Sequence, residues 1–207
     1  MAIINFIKNI FAAFGLILVI AVIILSLKID DLDKEYKISE RYNIIEKKMD
    51  KQAIGAYTEM FFTILKTGDA SKAMVLKYKV NDDVTNDDVQ ESIQALSEEH
   101  NMILTSVVKM FTKKDAKDNE VKHARIFSVC SLTIAKKFLN YSPEFGGFMP
   151  CRIMLIEYGN GDRYLYSMDL KLMIHGGFTL PEEMYKLAST VDKAMRDIPA
   201  RAAEGDF

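Results

Sequence analysis

Two cysteines in 207 residues are too few for a disulfide-built scaffold, and their separation, Cys130 to Cys151, lacks the paired C-x-x-C form of a structural zinc site. The chain also lacks an excess of charge of either sign. Its 27 basic and 29 acidic residues give a formal charge of -2 and are spread along the sequence, so no basic stripe tracks phosphates and nucleic acid is not an expected partner. No glycine-rich phosphate loop follows a strand, and H-x-x-x-H, G-x-S-x-G and C-x-x-C-H are all missing. The chemistries that depend on those motifs have no visible home. No internal repeat is apparent. What remains is a chain with 49% apolar residues, enough for one domain with its own core and an appendage.

The appendage is N-terminal. From Ile10 to Leu27 only Gly15 and Ser26 interrupt a run of Ala, Val, Ile, Leu and Phe. A helix of that length reaches about 27 Å, close to the thickness of a bilayer's hydrocarbon core. The run exceeds the apolar region of a secretory signal, and its exit, Leu25-Ser26-Leu27-Lys28, has no small-x-small cleavage site. The expectation is an uncleaved single-pass anchor over residues 1–29; a cleaved signal and a buried soluble helix are the competing readings. Counting basic residues, Lys8 before the run against Lys28, Lys34, Lys37, Arg41, Lys47 and Lys48 after it, would keep the C-terminal part in the cytoplasm. Interleaved Asp30, Asp31, Asp33, Glu35, Glu40 and Glu46, and the tendency of long domains to translocate regardless of such charges, favour the opposite orientation. We expect the domain on the periplasmic side of a bacterial inner membrane.

Residues 30–72 read as a charged helical stalk followed by an amphipathic helix from about Asp50 to Thr67. Ala53, Tyr57, Met60, Phe61, Ile64 and Leu65 recur at helical spacing, and Gly68 stands where a left-handed residue ends a helix. Tyr57, Phe61 and Ile64 pack on their own domain or face a partner subunit or the membrane; the sequence leaves both open. Residues 73–207 form the domain proper. Met74, Leu76, Tyr78 and Val80 alternate as a strand, and Thr85 caps a helix carrying Val89, Ile93, Leu96 and His100 on one stripe, with Asn101 at its stop. Met102 to Met110 is β-rich, Thr112 to Lys122 is a charged loop, and Arg125 to Cys130 is a strand. Ser131 then caps a helix over Leu132 to Tyr141, halted by Pro143.

Cys151 to Tyr158 and Arg163 to Met168 alternate around Gly159-Asn160-Gly161-Asp162 as a β-hairpin. After a His175-Gly176-Gly177 turn, Thr179 and Glu182 stand at capping-box spacing, with Pro181 in the first turn. They open a last helix with Met184, Leu187, Val191, Met195 and Ile198 along one stripe. The fold class is α+β: an antiparallel sheet covered by helices, preceded by one transmembrane and one amphipathic helix.

The stretch AMVLKYKVNDDVTNDDVQESIQAL, the cysteine in SVCSLTIAKKFLNY, the MPCRI that opens the hairpin and the closing helix together resemble the domain-of-unknown-function 302 family, from about Ala73 to Ala202. The resemblance implies a TATA-binding-protein-like fold of strand, helix, four strands and helix, often dimeric, with no established activity. It further implies a longer membrane-anchored branch, marked by M-I-x-G-G and a terminal G-D-F, associated with sulfur-oxidising bacteria. Family members commonly show Cys-Asn-Pro where this chain has Cys130-Ser131-Leu132, but Cys130 and Cys151 fall where members often carry cysteine. DNA binding does not follow from the fold.

The candidate residues are few. Cys130 and Cys151, expected close in space at the end of one strand and the start of the next, are either packed thiols or a redox pair. Arg152 beside Cys151 joins them as a ligand candidate. His175 with Met168 and Met173 makes a soft donor set suited to copper or haem iron, although methionine at such spacing is also flexible core filling. Glu157 and Asp169 as a carboxylate pair are explained as well by solvation at a strand edge. No cofactor is specified. The expected function is a non-enzymatic, membrane-anchored module that binds a partner subunit or small ligand as a homo-oligomer or complex subunit, linked through the resemblance to sulfur or redox metabolism. The alternative is a redox or metal- or haem-binding protein.

Overall fold

The computed structural model describes residues 2–207, with side chains from Leu18 onward except Asn43. The chain divides into two compact units, Met1–Met49 and Asp50–Phe207. The first holds helix α1 (Ala2–Tyr36) and helix α2 (Ile38–Lys48), separated by Lys37 in a left-handed conformation at φ 52°. Among the described residues no helix is long and apolar enough to cross a membrane. The part of the expected span before Leu18 lies outside the described side chains.

In the second unit helix α3 (Ala53–Thr67) ends at Gly68, whose φ of 67° is the left-handed stop the sequence indicated. Strand β1 (Val75–Lys79) leads to helix α4 (Asn86–Glu99), capped by a reciprocal box between Thr85 and Asp88. Strands β2 (Ile103–Thr112) and β3 (Val121–Cys130) follow; both reach further into the charged segment than alternation suggested, because Thr112 and His123 still pair across the ladder. Helix α5 (Leu132–Tyr141) starts after Ser131, whose hydroxyl makes no capping bond. The hairpin strands β4 (Cys151–Tyr158) and β5 (Arg163–Met168) stand as expected.

Two later expectations are corrected. The residues before Gly176 form a short helix, α6 (Lys171–His175), and the turn begins only after it. Helix α7 (Glu182–Glu204) begins directly behind Pro181, which is extended at φ -51° and ψ 147° and is itself the flanking residue. Thr179 therefore lies outside the first turn, and no Thr179–Glu182 box forms.

The five strands order as β1-β5-β4-β3-β2, antiparallel throughout. Register places Phe127 opposite Ile153 and Leu155 opposite Leu165, all fully buried against α4 and α7. Ile93, Leu96, Met195 and Ile198 complete that core from the helices. The alternate positions Ile126, Met154, Ile156, Tyr164 and Tyr166 share the opposite face and are half-buried.

Candidate functional site

The hairpin's first strand starts where β3 ends, and this junction is hollow. An apolar cavity of about 70 Å³ lies between the sheet end, α5, α6 and α7. Cys130 and Cys151 both line it. The ladder pairs Val129 with Cys151, so Cys130 stands one residue beyond Cys151's partner, at the end of the ladder. Chain order brings the end of β3 to the start of β4, so both cysteines border one cavity although alternation starts them on opposite faces of the sheet. Both thiols are free. Burial pushes the Cys151 thiol up to about 11, with the neighbouring Cys130 adding to it, and burial raises Cys130 as well. Both sulfurs are therefore protonated near neutrality, unlike the low-pKa thiolate of an activated nucleophile.

The rest of the wall is apolar and rich in thioether. Met102, Met149, Met168 and Met173 line it, beside Phe138 and Phe145. Ser131 is the one residue with a polar side chain other than thiol among the described lining residues, and no charged residue or histidine is among them. Phe145, Phe148, Met168 and Met173 also border a wider cleft of about 500 Å³ bounded by α3 and the β1 edge. Its rim is charged: Lys171 pairs with Glu59, and Asp169 accepts a 2.6 Å bond from Arg196.

His175 does not join these groups. Its Nδ1 lies 3.1 Å from Asp50 Oδ1 and donates to that carboxylate, which also accepts the Gln52 backbone N–H at 2.8 Å. The Asp50 N–H donates to the Gly177 carbonyl at 3.0 Å, and the Tyr57 hydroxyl donates to the Gly176 carbonyl at 2.6 Å. His175 thus fastens the start of α3 to the end of α6, while Met168 and Met173 line the cavity and cleft. Arg152 is exposed on the strand face opposite the core. Glu157 and Asp169 are likewise separate, Glu157 being held by Lys122 and Asn86 and Asp169 by Arg196.

Helix α3 packs on its own domain along one side and leaves apolar side chains exposed along the other. Ala53 and Ala56 are buried and Ile64 is half-buried, whereas Tyr57 and Phe61 are 47% and 56% exposed, alongside exposed Ile54, Phe62 and Leu65. Small residues let the helix sit close to its own domain, the Tyr57 hydroxyl bonds back to that domain at Gly176, and Ile54, Phe61, Phe62 and Leu65 stay exposed.

Sequence reasoning missed one cluster. His123 and Arg125 occupy inward positions of β3, at 7% and 4% exposure, where alternation with Phe127 would have placed apolar residues. Arg125 donates to the Asn86 carbonyl, Asp87 and Gln90 at the start of α4, and the Thr112 hydroxyl lies 2.8 Å from His123 Nδ1. Burial, with Arg125 beside it, holds His123 below its ordinary value, so it is neutral in the fold. The signal was present in the parity of residues 123, 125 and 127, once the strand was extended to Val121. The cluster ties α4 to the sheet.

A family model described as domain of unknown function DUF302 matches residues 76–201, more than half of the chain. The chain belongs to the DUF302 family. A solved structure described as that of an uncharacterized conserved protein DUF302 from Bacillus stearothermophilus is similar at 15% identity, covering 61% of this chain and 95% of that one with a TM-score of 0.46. No curated protein matches. The matched DUF302 region runs from β1 into α7 and so contains both cysteines and all the described lining residues of the cavity. The Asp50–His175 fastening reaches outside it.

Proposed function

We propose that this DUF302 protein is a membrane-anchored binding module whose domain takes a small ligand into the cavity beside Cys130 and Cys151. The observation that carries the reading is the apolar cavity bordering a wider, charged-rimmed cleft, a concave apolar site with polar groups at its mouth being the usual form of a small-ligand site. Anchoring rests on the run from Ile10 to Leu27, followed by a charged helical stalk. In this reading the domain lies outside the inner membrane and acts by binding, as a homo-oligomer or as a subunit of a membrane complex. Native mass spectrometry of the full chain extracted in detergent tests the binding. A stoichiometric small mass, lost when the cavity is filled by Ala188→Val, is the expected result; an empty chain that nothing stabilises would overturn it. Alkaline carbonate washing should leave the chain in the membrane, and a phosphatase fused after Phe207 should be active.

A second reading, a redox pair, is supported by the two free cysteines bordering one cavity at the junction of paired strands. Its signature is a disulfide formed on mild oxidation without loss of fold.

A further inference from the structure

The cavity wall has an unusual composition. Of the chain's twelve methionines and two cysteines, four and two line this single cavity, so that six of its seventeen lining residues carry sulfur. Branched aliphatic residues, the ordinary filling of a protein core, contribute five: Ile134, Leu170, Ile174, Leu180 and Val191. The sulfurs come from separate parts of the chain. Met102 precedes β2, Cys130 ends β3, Met149 and Cys151 flank the start of β4, Met168 ends β5 and Met173 lies on α6. The fold therefore gathers them, and no local sequence bias accounts for the concentration.

From this convergence we propose that the cavity is a binding site for a soft monovalent metal ion, copper(I), held by cysteine sulfur and methionine thioether. The inference rests on the binding-module reading and names its ligand. Thioether donors beside a thiolate select copper(I), whereas zinc takes three or four thiolate, imidazole or carboxylate ligands, a set that two cysteines without histidine or carboxylate among the described lining residues do not make up. Charge points the same way. An apolar wall without a counter-charge disfavours any net charge placed inside it, and a monovalent ion bound to one thiolate and to neutral thioethers is neutral overall. On binding, one cysteine S–H bond breaks, its proton leaves to water, and a copper–sulfur bond forms; copper stays in the +1 state and nothing is oxidised or reduced. Met168 and Met173 border both the cavity and the cleft, so thioethers stand at the entrance as well as inside. A site reached through the cleft would thus meet sulfur from its mouth onward.

The test uses the full-length chain in detergent under anaerobic, reducing conditions, titrated with copper(I) against bicinchoninate, a chromogenic chelator. The expected result is one copper(I) withdrawn from the chelator per chain, with sulfur-to-copper absorption in the near ultraviolet and sulfur-only neighbours by X-ray absorption. Cys130→Ala and Cys151→Ala together should abolish the withdrawal. Met168→Leu, which conserves volume and so preserves the fold, should weaken binding by about tenfold. Failure to compete for copper(I), nitrogen or oxygen neighbours, or retention of copper by the double cysteine variant would each overturn the proposal. An organic ligand found in the cavity, with no copper affinity, would also overturn it while leaving the binding-module reading intact.

Discussion

Filling the cavity from α7 should stabilise the domain and block its ligand at the same time. At roughly 24 cal/mol per Å³, a hollow of about 70 Å³ represents about 1.7 kcal/mol that a filled core would recover. Ala188, buried on α7 and part of the wall, can supply the missing volume. Ala188→Val adds two methyl groups, which at ~0.8 kcal/mol per buried carbon gives about 1.6 kcal/mol. β-Branching in a helix takes back about 0.5 kcal/mol, leaving a net gain of about 1 kcal/mol. For a chain of this size that is a rise of roughly 2–4 °C in melting temperature, read by tyrosine circular dichroism with the ligand-free protein. The same variant should lose the further stabilisation that ligand gives the parent, about 2.7 kcal/mol at a hundredfold excess over Kd. Stability falling by about 1 kcal/mol or more would mean that the site is already packed. A stabilised variant that still binds would place the ligand elsewhere.

Three further outcomes follow from particular side chains. Because His123 is held below 6.5 in the fold, the unfolded chain binds more protons as pH falls through that value; stability should decline as pH drops below about 6.5, and His123→Gln should flatten the profile measured by denaturant titration. With Cys151 raised to about 11 and Cys130 raised as well, both thiols should resist alkylation at pH 8 in the native protein and react fully in denaturant without prior reduction; rapid native labelling would contradict their protonated, sheltered state. Phe61→Ser, at a side chain 56% exposed, should change unfolding free energy by no more than about 0.5 kcal/mol, and if α3 is a partner surface the oligomer should dissociate in sedimentation while the melting temperature holds.

Local rules were enough for much of this protein. The turn residues Gly159 to Asp162 and the alternation on either side of them specify the hairpin, because its partner strand is the next segment of chain. Thr85 with Asp88 and the stop at Gly68 likewise act within a few residues, so the cap of α4 and the end of α3 were legible. The nearness of Cys130 and Cys151 was legible too, since consecutive strands that pair antiparallel bring the end of one to the start of the next. Tertiary structure decided what long-range packing decides. Residues as far apart as Met102 and Met173 meet in one cavity only because α5, α6 and α7 close over the end of the sheet. His175 is turned away from that cavity by Asp50, 125 residues earlier in the chain, a hydrogen bond that no spacing rule encodes. Arg125 is buried in an apolar layer because the start of α4, 38 residues before it at Asp87, supplies three acceptors to one of its guanidinium nitrogens. Periodicity reports which face of an element is apolar; which faces meet, and which polar groups are satisfied when they do, is settled only when the whole chain packs.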